Sequence, residues 1–119
     1  MKTDIHHYIT KSNHTTWEPL IEKGVNYNGI YVKSLRYDEA SGRSKTILLK
    51  FDAGAKYPYH NHPAGEEIFV LEGEALVEGT TLQQGDYLYT PPGFKHAVYS
   101  PNGATLLFVV PEEVEILSE

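Results

Sequence analysis

The residues best suited to chemistry fall in one stretch, "GAKYPYHNHPAGEEIFVLEG", residues 54–73. It sets His60 and His62 one residue apart, then a Pro63-Ala64-Gly65 turn, then Glu66 and Glu67 at the head of an apolar run. In a strand, residues i and i+2 point to the same side, so the two imidazoles project together, roughly 6–7 Å apart along the backbone. Both can reach one metal ion at the usual ~2.0–2.1 Å. After the turn, the returning strand brings a carboxylate back toward the same place. Two neutral nitrogens and an anionic oxygen suit a divalent first-row metal, without any sulfur ligand. A further ligand has to come from a distant strand. His6, His7 and His14 sit in the N-terminal stretch, and only His96 lies within the β pattern, just after the rigid Pro91-Pro92-Gly93 turn.

The elements that must position these groups read as strands. Ten Gly, seven Pro and nine Tyr, with many Val, Ile and Thr, favour short strands joined by tight turns. No window of a dozen residues carries a helical period, and 12–23 is granted one short turn at most. Strands are expected over 27–37, 43–51, 55–61, 66–71, 74–78, 86–89, 95–100 and 104–110. Turn signals divide them, among them Glu72-Gly73, Gln84-Gly85 and Pro101-Asn102-Gly103. Short strands punctuated at this spacing predict a single all-β unit, a sandwich or barrel. Residues 27–111 form that barrel, 1–26 an N-terminal extension, and 112–119 an acidic, solvated tail.

Bulk composition narrows the function. A chain of 119 residues can form one core without staples. It has no cysteine, which excludes disulfides, thiolate metal sites and a cysteine nucleophile. The formal net charge is −6 and the ten Lys and Arg are scattered, so nucleic acid is not an expected partner. No apolar run approaches the ~18 residues of a membrane helix, and 1–10 lacks the apolar core of a signal peptide. A cytoplasmic location is expected.

The spacing carries a family resemblance. Gly54, five residues, His60-x-His62, three residues, Glu66, six residues and Gly73 resemble the first cupin motif. Gly85, five residues, Pro91-x-Gly93, two residues and His96 resemble the second, with Ser100 in place of its usual Asn. The resemblance implies a double-stranded β-helix, or jelly-roll barrel, with one metal ion in its mouth. It also implies the ligands His60, His62, Glu66 and His96, around zinc, iron, manganese or nickel. The wording "HNHPAGEEIFVLEGE" and "PPGFKHAVYS" is similar to the cupin domain of a zinc-binding anti-sigma factor. That protein holds its partner through a helical zinc domain with cysteine ligands. Here there is no cysteine, and only about fifty residues precede the first motif. Sigma-factor binding is therefore not expected.

Some choices stay open in the sequence. Ile68 and Val70 are apolar, but so are Phe69 and Leu71, so strand parity cannot choose between Glu66 and Glu67; the motif spacing favours Glu66. Tyr57, Tyr89 and Tyr99 are candidates to line a pocket, each with an apolar body and a polar tip. Glu66 is also a candidate base. A metal with an open position suits a dioxygenase-like enzyme acting on a small molecule; the alternative is a non-catalytic zinc-binding sensor or small-ligand module. A homodimer is expected, with the N-terminal segment exchanged between copies to cover a sheet edge.

Overall fold

A computed structural model describes residues 3–117 of the chain. Two single-turn 3-10 helices, Ile5–Tyr8 and Ser12–His14, lead into the strands β1 (Glu18–Glu22), β2 (Val25–Asp38), β3 (Arg43–Phe51), β4 (Ala55–Asn61) and β5 (Glu66–Val77). These are followed by β6 (Thr80–Gln83), β7 (Tyr87–Thr90), β8 (Lys95–Ser100), β9 (Ala104–Val109) and β10 (Glu115–Ile116). Every ladder is antiparallel, along the path β1-β2-β3-β9-β5-β8-β4-β10, with β6 and β7 also on β5. The sheet curls on itself as the expected jelly roll.

β5 does the curling. Sequence turn signals at Glu72-Gly73 divide it into two strands, yet the chain runs straight through. Its first half pairs with β7 and β9, and its second half with β6 and β8. A register irregularity between Val70 and Glu72 marks the crossing. A bulge bends a strand and raises its twist, so the turn signal becomes a bend. Gly73 sits there at φ 76°, packed so closely that a Cβ would run into the Gly103 carbonyl oxygen.

The inner faces bury Ile30, Leu49, Phe51, Ile68, Val70, Leu106 and Phe108 in one apolar cluster. Leu49 and Phe108 of that cluster also line the cavity beside His60 and Glu66.

Both ends of the chain differ from expectation. Residues 12–23 supply the one short turn and also β1, which pairs with β2 from Glu18↔Val32 to Glu22↔Val25. Trp17 lies against the ammonium groups of Lys33 and Lys50, 4.7 and 5.1 Å from its ring centre. Part of the expected tail also joins the sheet: Glu115 and Ile116 pair with Asn61 and His60 of β4. Ser118 and Glu119 of that tail lie outside the described residues, as do Met1 and Lys2 of the extension.

Gly73→Ala should therefore cost about 2–4 kcal/mol, combining left-handed backbone strain with overpacking. Gly79→Ala, at φ 76° but with nothing within 4 Å, should cost only about 1 kcal/mol. Urea unfolding of the two variants checks this, and equal losses would mean that the Gly73 crossing is not tightly packed.

Candidate metal centre

The four motif residues converge. His60 sits in β4, His62 just past its end, Glu66 at the start of β5 and His96 in β8. His60 faces His96 directly across the β4–β8 ladder. All four are buried, the most exposed being Glu66 at 3%. One ligand atom from each lies within 4.8 Å of every other.

Backbone carbonyls orient two of the rings. His60 Nδ1 is 2.7 Å from the Pro58 carbonyl oxygen, and His62 Nδ1 is 2.8 Å from that of Phe94. A carbonyl can only accept, so each ring carries its proton on Nδ1 and presents the Nε2 lone pair inward. The Pro91–Phe94 turn is fastened to His62 in both directions, because Gly93 N–H donates to the His62 carbonyl at 2.9 Å. Gly65 closes the other side at φ 81°, where a Cβ would meet the Thr90 carbonyl oxygen at 2.8 Å. The second motif thus holds a ligand of the first. At the far end of β8, the Ser100 hydroxyl donates to the Glu74 carbonyl at 2.7 Å and takes a structural role.

At the centre, Glu66 Oε1 lies 3.2 Å from His62 Nε2 and 3.3 Å from His96 Nε2. These three atoms are buried and have no hydrogen-bond partner. For His62 the reason is plain: with its proton on Nδ1, a lone pair faces a carboxylate oxygen. Such contacts become favourable when a cation stands between them. Two ligands of one ion at ~2.0–2.2 Å bonds sit about 3–4 Å apart, so the two Glu66–imidazole spacings fit ligands of a single metal ion. Without one, a proton can partly fill the role. Burial pushes His62 down, but the Glu66 carboxylate outweighs it and raises the pKa above the ordinary value. Burial pushes Glu66 up, and the imidazoles of His62 and His96 outweigh it and hold the carboxyl below its usual range. For His60 burial dominates, lowering it to about 4, so it stays neutral and ready to ligate.

The structure answers the choice that parity left open. Glu66, Ile68 and Val70 face inward, while Glu67, Phe69 and Leu71 face outward. Glu67 accepts a hydrogen bond from the Tyr87 hydroxyl at 2.6 Å on the outer surface.

The tyrosine candidates separate as well. Tyr57 is buried, its ring edge-on to His60 with 4.8 Å between centres. Tyr89 and Tyr99 point outward, 56% and 36% exposed, because each alternates with an inward neighbour, Thr90 and Val98 respectively. They do not line the cavity. Tyr57 and His60 both face inward despite their odd spacing because the β4–β8 register shifts between them. Pro58 occupies that irregularity, a place that suits a residue without an N–H. His6 and His7 stay apart from the centre, in an exposed turn where His6 pairs with Asp4 at 2.8 Å.

His60 and Glu66 form part of the wall of a cavity of about 510 Å³, which also meets Glu22, Arg43 and Tyr57. Sequence reasoning missed Glu22 and Arg43. Glu22 fell outside the expected barrel, and Arg43 looked like an ordinary strand end. A second groove of about 730 Å³ lies beyond Glu22 and Lys23, and none of the four ligands lines it. The Tyr57 hydroxyl donates to Glu22 Oε1 at 2.5 Å. Burial raises the Glu22 carboxyl above its ordinary 4.5, only partly offset by that hydrogen bond. Burial and the neighbouring carboxylate together lift the Tyr57 phenol well above the usual range, so it remains a donor.

A jelly-roll barrel with three imidazoles and one carboxyl group turned into its mouth defines a cupin. More narrowly, this chain belongs to the ChrR cupin-like domain family, whose model matches residues 6–115. Over 63 residues it is 41% identical to the dimethylsulfoniopropionate lyase DddQ of Ruegeria pomeroyi, a match covering 49% of this chain and 31% of the lyase. The matched segment thus spans less than a third of that relative. Among solved structures, an acetylacetone dioxygenase from Acinetobacter johnsonii is similar, with a TM-score of 0.79 and 17% identity over 100% of this chain and 83% of that one. An RmlC-like cupin from Shewanella frigidimarina gives a TM-score of 0.68 and 24% identity over 89% of this chain and 92% of that one. At these identities the structural likeness speaks for the fold.

Two expected outcomes follow from the geometry. Glu66→Gln and His62→Ala should each cut bound metal about tenfold or more, while Glu67→Gln leaves it unchanged; elemental analysis after dialysis reads this, and metal loss in Glu67→Gln would refute the inward assignment of Glu66. The second concerns Glu22. Its raised folded pKa means that the folded chain binds more protons than the unfolded one between 4.5 and that higher value, so stability falls as pH rises through the window. Glu22→Gln keeps an acceptor for Tyr57 and should raise the melting temperature at neutral pH, with no gain below the carboxyl range. A gain that is the same at every pH would exclude this cause.

Proposed function

We propose that the chain binds one divalent first-row metal ion through His60, His62, Glu66 and His96 and acts on a small oxygen-bearing organic molecule in the adjoining cavity. The observation that carries this reading is the set of three buried ligand atoms, without hydrogen-bond partners, that face one another beside that cavity. A bound ion of this kind supplies Lewis-acid polarisation and, if it is iron, oxygen chemistry. The chain's own residues do the rest. Carbonyl-anchored His60 and His62 hold their nitrogens in place, and the apolar walls, Leu49, Val98 and Phe108 among them, keep water away from a bound molecule. Glu66 serves as a ligand; a carboxyl held below its ordinary range is a weak proton acceptor and a good anionic donor.

The enzyme reading is dioxygenase-like, supported by the fold shared with an acetylacetone dioxygenase; the partial relative that is a lyase supports enzyme activity without bearing on oxygen chemistry. A zinc-binding sensor is the second reading, favoured by membership of the ChrR cupin-like family. Sigma-factor binding is not part of the proposal, because the chain has no cysteine for a helical zinc domain of that kind. A homodimer is part of the proposal, supported by the edge position of β1 and by exposed Ile21 and Val25 beside it. The cysteine-free composition suits a cytoplasmic setting. Among the described residues, no helix is long and apolar enough to cross a membrane.

Metal identity decides between the two readings. Protein loaded anaerobically with Fe(II), Mn(II), Ni(II) or Zn(II) should retain about one equivalent. On admitting O₂ with β-diketones or catechols, one redox-active form should consume oxygen. Stoichiometric metal without consumption for any pair would favour the sensor. No retained metal would end both readings.

A further inference from the structure

Arg43 stands out among the residues around the cavity. It is partly buried at the start of β3, and one guanidinium nitrogen donates to the Val110 carbonyl at 2.6 Å. A guanidinium has five N–H donors in a planar fork that matches a carboxylate. The other charged groups lining this cavity outside the metal centre have direct partners. Glu22 accepts from Tyr57 at 2.5 Å, and Glu113 pairs with Lys23 at 3.5 Å. Among the described residues, Arg43 has no carboxylate within ion-pair distance. The cavity lining includes the apolar Leu20, Val32, Ile47, Leu49, Val98 and Phe108, alongside the polar Ser44 and Tyr57.

We propose that Arg43 anchors the carboxylate of a small organic acid in this cavity, with an apolar carbon chain along the wall and a second oxygen, keto or enol, at the metal end. The proposal rests on the reading of the cavity as a small-molecule site and narrows it to a substrate class. Arg43 already acts by its charge on Glu22, whose hydrogen-bond partner is a neutral phenol, and its spare donors leave room for one further carboxylate. A bidentate carboxylate fills the fork without displacing the Val110 bond. The apolar wall favours a hydrocarbon body over a sugar or a nucleotide. Glu22 and Glu113 disfavour a second negative charge on the ligand, which sets dicarboxylates apart.

Calorimetric titration of the zinc-loaded protein tests this without turnover. The probes are levulinate and its longer straight-chain oxo-acid homologues, each beside its methyl ester. At least one acid should bind about tenfold or more tightly than its ester. In Arg43→Gln that ratio should fall to near one with zinc content retained, while the melting temperature drops modestly as the Val110 bond is lost. Arg43→Lys should keep part of the preference, as a point charge without the fork. An acid–ester ratio unchanged in Arg43→Gln, or no binding by any acid, overturns the assignment. Zinc uptake is read first and separately: its absence defeats the metal reading, while the acid–ester ratio judges Arg43 on loaded and unloaded protein alike.

Discussion

Three polar atoms with nothing to bond to, enclosed by apolar strands, are the constraint around which this molecule is arranged. An unpaired buried polar group costs roughly 1–3 kcal/mol, more when charged, and here His62 Nε2, His96 Nε2 and Glu66 Oε1 are all in that position. A chain selected for stability alone would replace them with apolar side chains. The rings are instead locked the costly way round. The Nδ1 bonds of His60 and His62 to backbone carbonyls keep the protons outward and the lone pairs inward. That arrangement is favourable once a cation joins it, and the surrounding strands can be understood as devices for maintaining it.

Those devices are local breaks in regular β structure. The register shift in β4 lets Tyr57 and His60 share the interior although alternation would separate them. Gly65 allows β5 to begin close enough to Thr90 for Glu66 to reach the imidazoles, and the Pro91–Phe94 turn is tied to His62 from both sides. Gly73 then takes β5 from one half of the sheet to the other. Regular alternation supplies the core; the irregularities supply the site.

This division explains what could be read in advance. Ligand spacing is a local property, so His60, His62, Glu66 and His96 were legible as a set through their motifs, and the barrel through its turns. Glu66 against Glu67 was not legible from parity, since both faces of β5 are apolar and only packing shows that Phe69 and Leu71 face outward. Tyr89 and Tyr99 failed as pocket residues for the same reason: a tyrosine looks alike on either face. Arg43 was hidden by two register shifts in the β2–β3 ladder, which prevent inward positions being counted from the core end. Glu22 was hidden because its strand was taken for an extension, and a Gly-Asn-rich stretch gives little sign that the preceding residues pair back on β2. Long-range pairing decides such cases, and a single chain read residue by residue carries no record of it.

The C-terminal segment shows how far the candidate metal centre reaches into the fold. Four glutamates in eight residues look like a solvated end, yet β10 lies along β4 with Ile116 opposite His60, and Leu117 N–H donates to the Tyr59 carbonyl at 2.9 Å. The Asn61 amide donates to Glu115 at 2.6 Å. β4 is therefore held between β8, which brings His96, and β10, which occupies what would otherwise be a free edge. A strand carrying one candidate ligand, with a second just past its end, tolerates little register slip, because a shift of one residue would turn His60 outward. Pairing on both sides suppresses that slip. The acidic segment thus gains a role that its charge does not suggest: its backbone fixes the strand that carries His60, while the carboxylates of Glu112, Glu113 and Glu115 remain at the surface, where Glu113 meets Lys23 beside the cavity.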